Sequence, residues 1–220
     1  MKANIVRNDL DETIQNFIQR QLRPNKVLNS ALLNAFATVN RADFLPVKYQ
    51  SLAYIDANLP AEQSRFFLSP LILARLINLV EIKPTDRCLI IGGLTGYSAA
   101  VLSSLSTTVC VVEQESACYK ILSNNATANQ SIHQGRLEDG WPESTLFDWI
   151  LIEGGVEIIP QKIVDQLSDG GSLVTVYNKN YLMGSGCIWQ KNIDIVTLNK
   201  IFDAYAPALT GFTLEKTFFL

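Results

Sequence analysis

Gly92-Gly93-Leu94-Thr95-Gly96 follows the short apolar run Arg87-Cys88-Leu89-Ile90-Ile91, and Glu113 closes the next apolar run 21 residues after Gly92. Glycines in such a turn let backbone approach a ligand closely. A carboxylate at the end of the following strand suits the hydroxyls of a ribose. A dinucleotide fingerprint needs a second glycine where this chain has Leu94. A P-loop needs Gly-Lys-Ser/Thr where it has Gly96-Tyr97-Ser98. S-adenosylmethionine carries a ribose and no pyrophosphate, so it is the nucleotide-like ligand that remains. The same residues also fit a βα turn that binds nothing, with Glu113 as a solvated strand end.

Other chemistry is narrowly bounded. The chain has one histidine, His133, so a Ser-His-Asp triad would depend on it and a zinc site with several His ligands is excluded. His133 falls at a strand start and reads as a polar edge residue. Cys88, Cys110, Cys118 and Cys187 form no C-x-x-C pair. They read as reduced, structural thiols, and no metal is expected. Glu153, followed by Gly154-Gly155, ends a third apolar run, where ligand crevices form. It is a candidate for holding an amino group or acting as a base, or else a solvated strand-end carboxylate.

The elements that must hold these residues follow from hydrophobic rhythm. Leu10, Ile14, Phe17, Ile18 and Leu22 share a helical face that Pro24 stops. Leu32, Leu33, Phe36 and Val39 follow behind a cap at Asn29 or Ser30, and Ser69-Pro70 opens a third helix. From Arg87 onward apolar runs alternate with helical stretches of about ten residues, which predicts βαβ units, a mainly parallel sheet and an α/β, doubly wound fold. The last segments, through FTLEKTFFL, read as strands closing the sheet edge or, for the last, pairing with a second subunit. The 220 residues carry 18 Lys+Arg against 21 Asp+Glu, which argues against nucleic acid as partner. No run of about 18 apolar residues occurs and the start MKANIVRNDLDET is polar, so a soluble, cytoplasmic protein with no membrane partner is expected.

In order along the chain, Gln21-Leu22-Arg23-Pro24, Arg41 to Pro46, Leu52-Ala53-Tyr54 with Leu59-Pro60, Ile91-Gly92 to Leu102, Gly135 to Pro142, Phe147 to Ile150, and Pro160 with Gln166 to Gly171 resemble the motifs of protein-L-isoaspartate O-methyltransferases. The resemblance runs from about Gln21 to Gly171. It implies a class I, Rossmann-like methyltransferase fold over residues 1–220, with a helical cap and substrate loop in 1–80 and the core in 87–220. The activity implied is methyl transfer from S-adenosylmethionine to isoaspartyl carboxylates of damaged proteins. Gly92, Gly93, Leu94, Gly96, Tyr97, Glu113, Gln114, Arg136 and Leu137 would then form or flank the cofactor cradle. Phe66, Leu68 and Ser69 would line the substrate mouth, with Ser69 and Glu153 as the catalytic candidates.

The chain also departs from that pattern. Aligned back from Pro70, Phe66 and Leu68 stand where the family has the Thr and Ser that hold substrate, and Ser69 replaces them only if the loop shifts by one residue. Ile90 stands where an acidic residue helps hold the methionine amino group, and Arg136 where an aspartate faces adenine. Arginine only donates hydrogen bonds and better suits a phosphate or carboxylate. The alternatives are a methyltransferase with another acceptor and a non-catalytic binding descendant.

Overall fold

The computed structural model describes residues 12–106, 108–178, 183–193 and 195–214. A seven-stranded sheet forms its centre, with β1 and β2 paired separately as a short hairpin. The strands are β1 (Leu59–Pro60), β2 (Phe66–Phe67), β3 (Arg87–Ile91), β4 (Thr108–Glu113), β5 (Gln130–Gln134), β6 (Phe147–Val156), β7 (Leu167–Tyr177), β8 (Gly184–Asn192) and β9 (Ile195–Ala204). The order across the large sheet is β5-β4-β3-β6-β7-β8-β9. Its first five strands are parallel and its last two pairings antiparallel. This is a doubly wound α/β architecture, as the hydrophobic rhythm predicts, and the order reverses between β3 and β6.

Period-two alternation decides which residues face which layer. Cys88, Ile90, Val109, Val111, Trp149 and Leu151 belong to one core cluster, together with the N-terminal helices. Leu89, Ile91, Cys110, Val112, Ile150 and Ile152 belong to a second cluster, with Ile163, Leu209 and Phe212. Both faces are covered, which is why these strands read as continuous apolar runs. Ile90 is therefore a core residue of the cap side and does not reach a ligand.

The cap layer begins with helix α1, residues 12–17, which continues as one π-helical stretch, Ile18–Leu22. Helix α2 (Ser30–Thr38) is capped by Asn29, whose side chain accepts from Leu32 N–H. Helix α3 (Pro70–Ile77) is capped by Ser69. Phe36 is fully buried between Phe17 and Tyr97, with ring centroids 6.2 Å from each. Helices α4 (Tyr97–Ser103) and α5 (Ser116–Asn124) follow β3 and β4.

Two expectations are corrected. Helix α6 is only Gln161–Asp165, because Pro160 fixes its start and Leu167 already begins β7. Residues 212–214 form no strand, and the rest of FTLEKTFFL lies outside the described residues. Leu10 of the first helical face also lies outside them.

Since one apolar cluster joins cap and sheet, they are expected to unfold together. Phe36→Ala should cost about 3–5 kcal/mol and lower one calorimetric transition by roughly ten degrees. Two separated transitions would show that the cap folds apart from the sheet.

Candidate functional site

Ligand crevices in such sheets lie beyond the strand carboxyl ends where the order reverses. Here that point is set by β3 and β6, where Ile91 pairs with Ile152. Beside it Gly92 N–H donates to Val112 O, which sets the glycine turn level with Glu113. The turn and Glu113 therefore meet at the switch point, as their spacing predicts.

Glu113 is completely buried. Its Oε1 accepts from Gln114 N–H at 2.8 Å, from Glu115 N–H at 2.9 Å and from Arg65 Nη1 at 3.1 Å. Its Oε2 accepts from Leu94 N–H at 2.7 Å. The reading of Glu113 as a solvated strand end is overturned. A carboxylate offers about four acceptor positions, and four donors already engage this one.

The fourth donor is the residue that sequence reasoning missed. Arg65 is only 6% exposed, and its Nη2 donates to Gly92 O at 3.0 Å. A Cβ built on Gly92 would lie 2.7 Å from that nitrogen. The guanidinium thus lies directly on the glycine turn and bridges it to Glu113. Leu137, also buried, lies against the same spot. Arg65 comes from the β1–β2 hairpin, whose tip holds Gln63 and Ser64 at φ 51° and 61°. A separation of 48 residues from Glu113 gives no periodic signal of this pairing.

Within the turn, Gly92 and Gly96 have φ of 83° and 100°, which glycine tolerates without cost from a side chain. Leu94 also takes a positive φ, 48°, at the position where fingerprints have glycine. Such a conformation costs a non-glycine residue about 1–3 kcal/mol, and the bond from its N–H to Glu113 helps retain it. Its side chain packs in the cap-side core and does not flank an open cradle. Tyr97 is likewise a core residue, against Phe36 and Phe44 with the Arg41 guanidinium 5.2 Å from its ring centre. Gly93 lies over Val111.

Glu153 is buried and accepts a short hydrogen bond from Ser98. Burial pushes its carboxyl above the ordinary range, opposed by the Ser98 hydroxyl and by Arg41 and Arg65. It is neither a solvated strand end nor a group facing open crevice. Arg41 is 2% exposed, donates to Leu68 O at 2.9 Å and leaves Nε without a partner. Burial lowers its pKa from the ordinary arginine value. Ser69 Oγ donates to Asp56 at 2.5 Å and accepts from Ile72 N–H, so it is a helix cap. Its hydroxyl is not free for an acceptor substrate.

The space expected to serve as a substrate mouth is closed in this conformation. Ser64, Arg65, Phe66, Leu68, Gly154 and Leu209 enclose about 10 Å³, no more than one water requires. Arg136 is exposed and pairs with Glu138, well suited to solvent and unlike an adenine contact. Gln114 meets the site through its backbone N–H alone. His133 sits in edge strand β5, its ring edge-on to Trp141. All four cysteines are free and buried. Among the described residues no group of three or more His, Cys, Asp or Glu side chains could hold a metal ion.

Glu153 gives a pH prediction with a definite sign. Its raised folded pKa means that the folded state holds the proton more tightly than the unfolded chain. Stability is then lost as pH rises from about 4.5, the ordinary carboxyl value, towards the folded pKa. Glu153→Gln keeps an acceptor for Ser98 and removes this descent. Its melting temperature should exceed that of the parent at pH 7.5, with the difference shrinking at pH 4.5. Equal pH profiles by thermal unfolding would contradict the reading.

Comparison with known proteins agrees with this frame. The family model of protein-L-isoaspartate(D-aspartate) O-methyltransferase matches residues 13–197. A protein-L-isoaspartate O-methyltransferase of Gloeobacter violaceus is 34% identical over 161 residues, 71% of this chain and 78% of its own length. A Geotalea uraniireducens protein, protein-L-isoaspartate O-methyltransferase 1, is 32% identical over 180 residues, 79% of this chain and 81% of its own. Among solved structures, a protein-L-isoaspartate O-methyltransferase superposes with a TM-score of 0.76 at 24% identity, over 90% of this chain and 66% of that one. A putative enzyme of that name from Plasmodium falciparum, solved with S-adenosyl-L-homocysteine, gives 0.72 at 18% identity, over 91% and 98%. Through the sequence match across residues 13–197, which takes in the glycine turn, Glu113 and the hairpin of Arg65, the chain belongs to the protein-L-isoaspartate(D-aspartate) O-methyltransferase family.

Proposed function

We propose that the protein is an S-adenosylmethionine-dependent methyltransferase acting on isoaspartyl carboxylates of damaged proteins. The observation that carries this is the family match over residues 13–197. The buried carboxylate of Glu113, level with the glycine turn at the switch point, supports it.

The crevice fits the ribose end of that cofactor in its fixed parts. Backbone N–H groups of Leu94, Gln114 and Glu115 hold Glu113 in place independently of Arg65. The absent side chain of Gly92 leaves a polar group room to lie on the backbone, as Arg65 does. Gly92, Gly93, Gly96 and Glu113 would hold the cofactor, with Leu137 beside it. When bound, the cofactor supplies an activated methyl group on a sulfonium sulfur. A carboxylate acceptor is already a nucleophile at neutral pH, so this chain needs no strong base.

What the chain must supply is alignment and exclusion of water. Phe66 and Leu68 make the mouth apolar and withhold the hydroxyls that the family resemblance assigns there. The acceptor would then be held by backbone and by shape, giving a weaker grip on the substrate. Four buried, free thiols support a reducing compartment, and we assign the protein to the cytoplasm on that ground. No helix among the described residues is long and apolar enough to cross a membrane.

The test is transfer of labelled methyl from S-adenosylmethionine to an isoaspartyl peptide, with the matching aspartyl peptide as control. Base-labile methyl on the isoaspartyl peptide alone is expected. Glu113→Gln should weaken cofactor binding about tenfold or more, the worth of charged hydrogen bonds to a ribose. Absence of transfer to either peptide, with cofactor bound, would overturn the acceptor assignment and leave the cofactor assignment standing.

A further inference from the structure

Arg65 satisfies Glu113 in the way a ligand would. Its guanidinium reaches the carboxylate through Nη1 and the turn through Nη2, so it covers both Glu113 and the glycine turn at the switch point. With Arg65 in place Oε1 carries three donors and Oε2 carries one. These four donors use the roughly four acceptor positions of the carboxylate, and only displacement of Arg65 opens one for a ribose hydroxyl. Steric room is also gone, since Nη2 fills the space over Gly92.

We infer that Arg65 is a built-in occupant of the cofactor's ribose seat, so that cofactor binding and the Arg65–Glu113 ion pair exclude each other and Arg65 sets the apparent cofactor affinity. The inference rests on the cofactor reading above. Its physical basis is competition for one buried carboxylate. The ion pair is nine-tenths buried on both sides, at 6% and 0% exposure. A buried pair of this kind is strongly favoured over either charge left alone. The competent state is then a minor one, and the apparent dissociation constant is the intrinsic one divided by its population. Release would turn the Arg65 side chain while Leu59, Phe67 and Leu68 keep the hairpin seated in the core. The β1–β2 hairpin is held by two residue pairs, Leu59 with Phe67 and Pro60 with Phe66, and by the turn bonds Ala61 N–H to Arg65 O and Arg65 N–H to Glu62 O. Swinging out the guanidinium would also widen the mouth between Phe66, Leu68 and Gly154, coupling cofactor entry to acceptor access.

The experiment uses the full chain, S-adenosylhomocysteine as probe, and calorimetric titration with thermal unfolding as a second readout. Arg65→Met keeps bulk and removes the charge, while Arg65→Lys keeps the charge and loses the two-pronged contact. Arg65→Met should bind the probe about ten- to a hundredfold more tightly than the parent, with Arg65→Lys between them. Thermal unfolding separates this from a merely structural role. Without ligand the Met variant should melt below the parent, and at saturating probe the two should converge, since the ion pair is broken in both complexes. A deficit that persists at saturation, or equal or weaker binding by Arg65→Met, would overturn the inference while leaving the cofactor reading intact. Millimolar probe binding to none of the three proteins would overturn both.

Discussion

A carboxylate with no contact to water must be answered by donors, and Glu113 organises the crevice through that requirement. Three backbone N–H groups and one guanidinium converge on it. Each fixes something different. Gln114 and Glu115 lock the exit from β4 into α5, and Leu94 locks the glycine turn after β3. Arg65 ties a hairpin of the cap layer to both. The left-handed conformation of Leu94 persists in this setting because the strained residue supplies one of the donors. The parts that shape the switch point are thus held by one anion, and a ligand entering there must offer donors of its own.

A second buried carboxylate stands two strands away, across β3. Glu153 on β6 takes a hydroxyl bond from Ser98 and the field of Arg41, which in turn lies over Tyr97 and holds the carbonyl of Leu68. Both carboxylates therefore answer to arginines delivered by the N-terminal third. The cap does more than cover the sheet: through Arg41 and Arg65 it reaches the crevice floor, and through Phe66 and Leu68 it closes the mouth. The same hairpin thus supplies both the cation on Glu113 and the apolar wall of Phe66 and Leu68.

The sheet was legible in the sequence because each of its strands carries its own signal. Apolar runs such as Cys88–Ile91 and Val109–Val112 need burial on both faces, and the glycine turn and Glu113 sit at their ends by counting alone. The Asn29 and Ser69 caps were legible for the same local reason. The pairing of Arg65 with Glu113 was not, since neither residue's neighbours encode a contact between segments 48 residues apart. The side chains of Tyr97 and Leu94, expected at the cradle, turn into the cap-side core, because a motif fixes where a residue stands along the chain and only packing fixes which way its side chain turns. Arg136 follows the same logic from the other side. Its position in the family pattern suggests adenine, but a partner two residues away, Glu138, captures it at the surface.

Departures from the family pattern and the ion pair have a common physical consequence. Ile90 lies in the cap-side core and Arg136 at the surface, so on the proposed cofactor reading neither supplies a polar contact and Glu113 carries a larger share of any binding. On the same reading Arg65 would compete for that carboxylate. A crevice with a full set of ligand contacts tolerates an internal competitor, because the remaining contacts can offset its displacement. With fewer contacts, the same competitor dominates the equilibrium and holds the crevice shut. Around Glu113 the resting chain supplies from its own hairpin a donor that, on this reading, a ligand would have to replace.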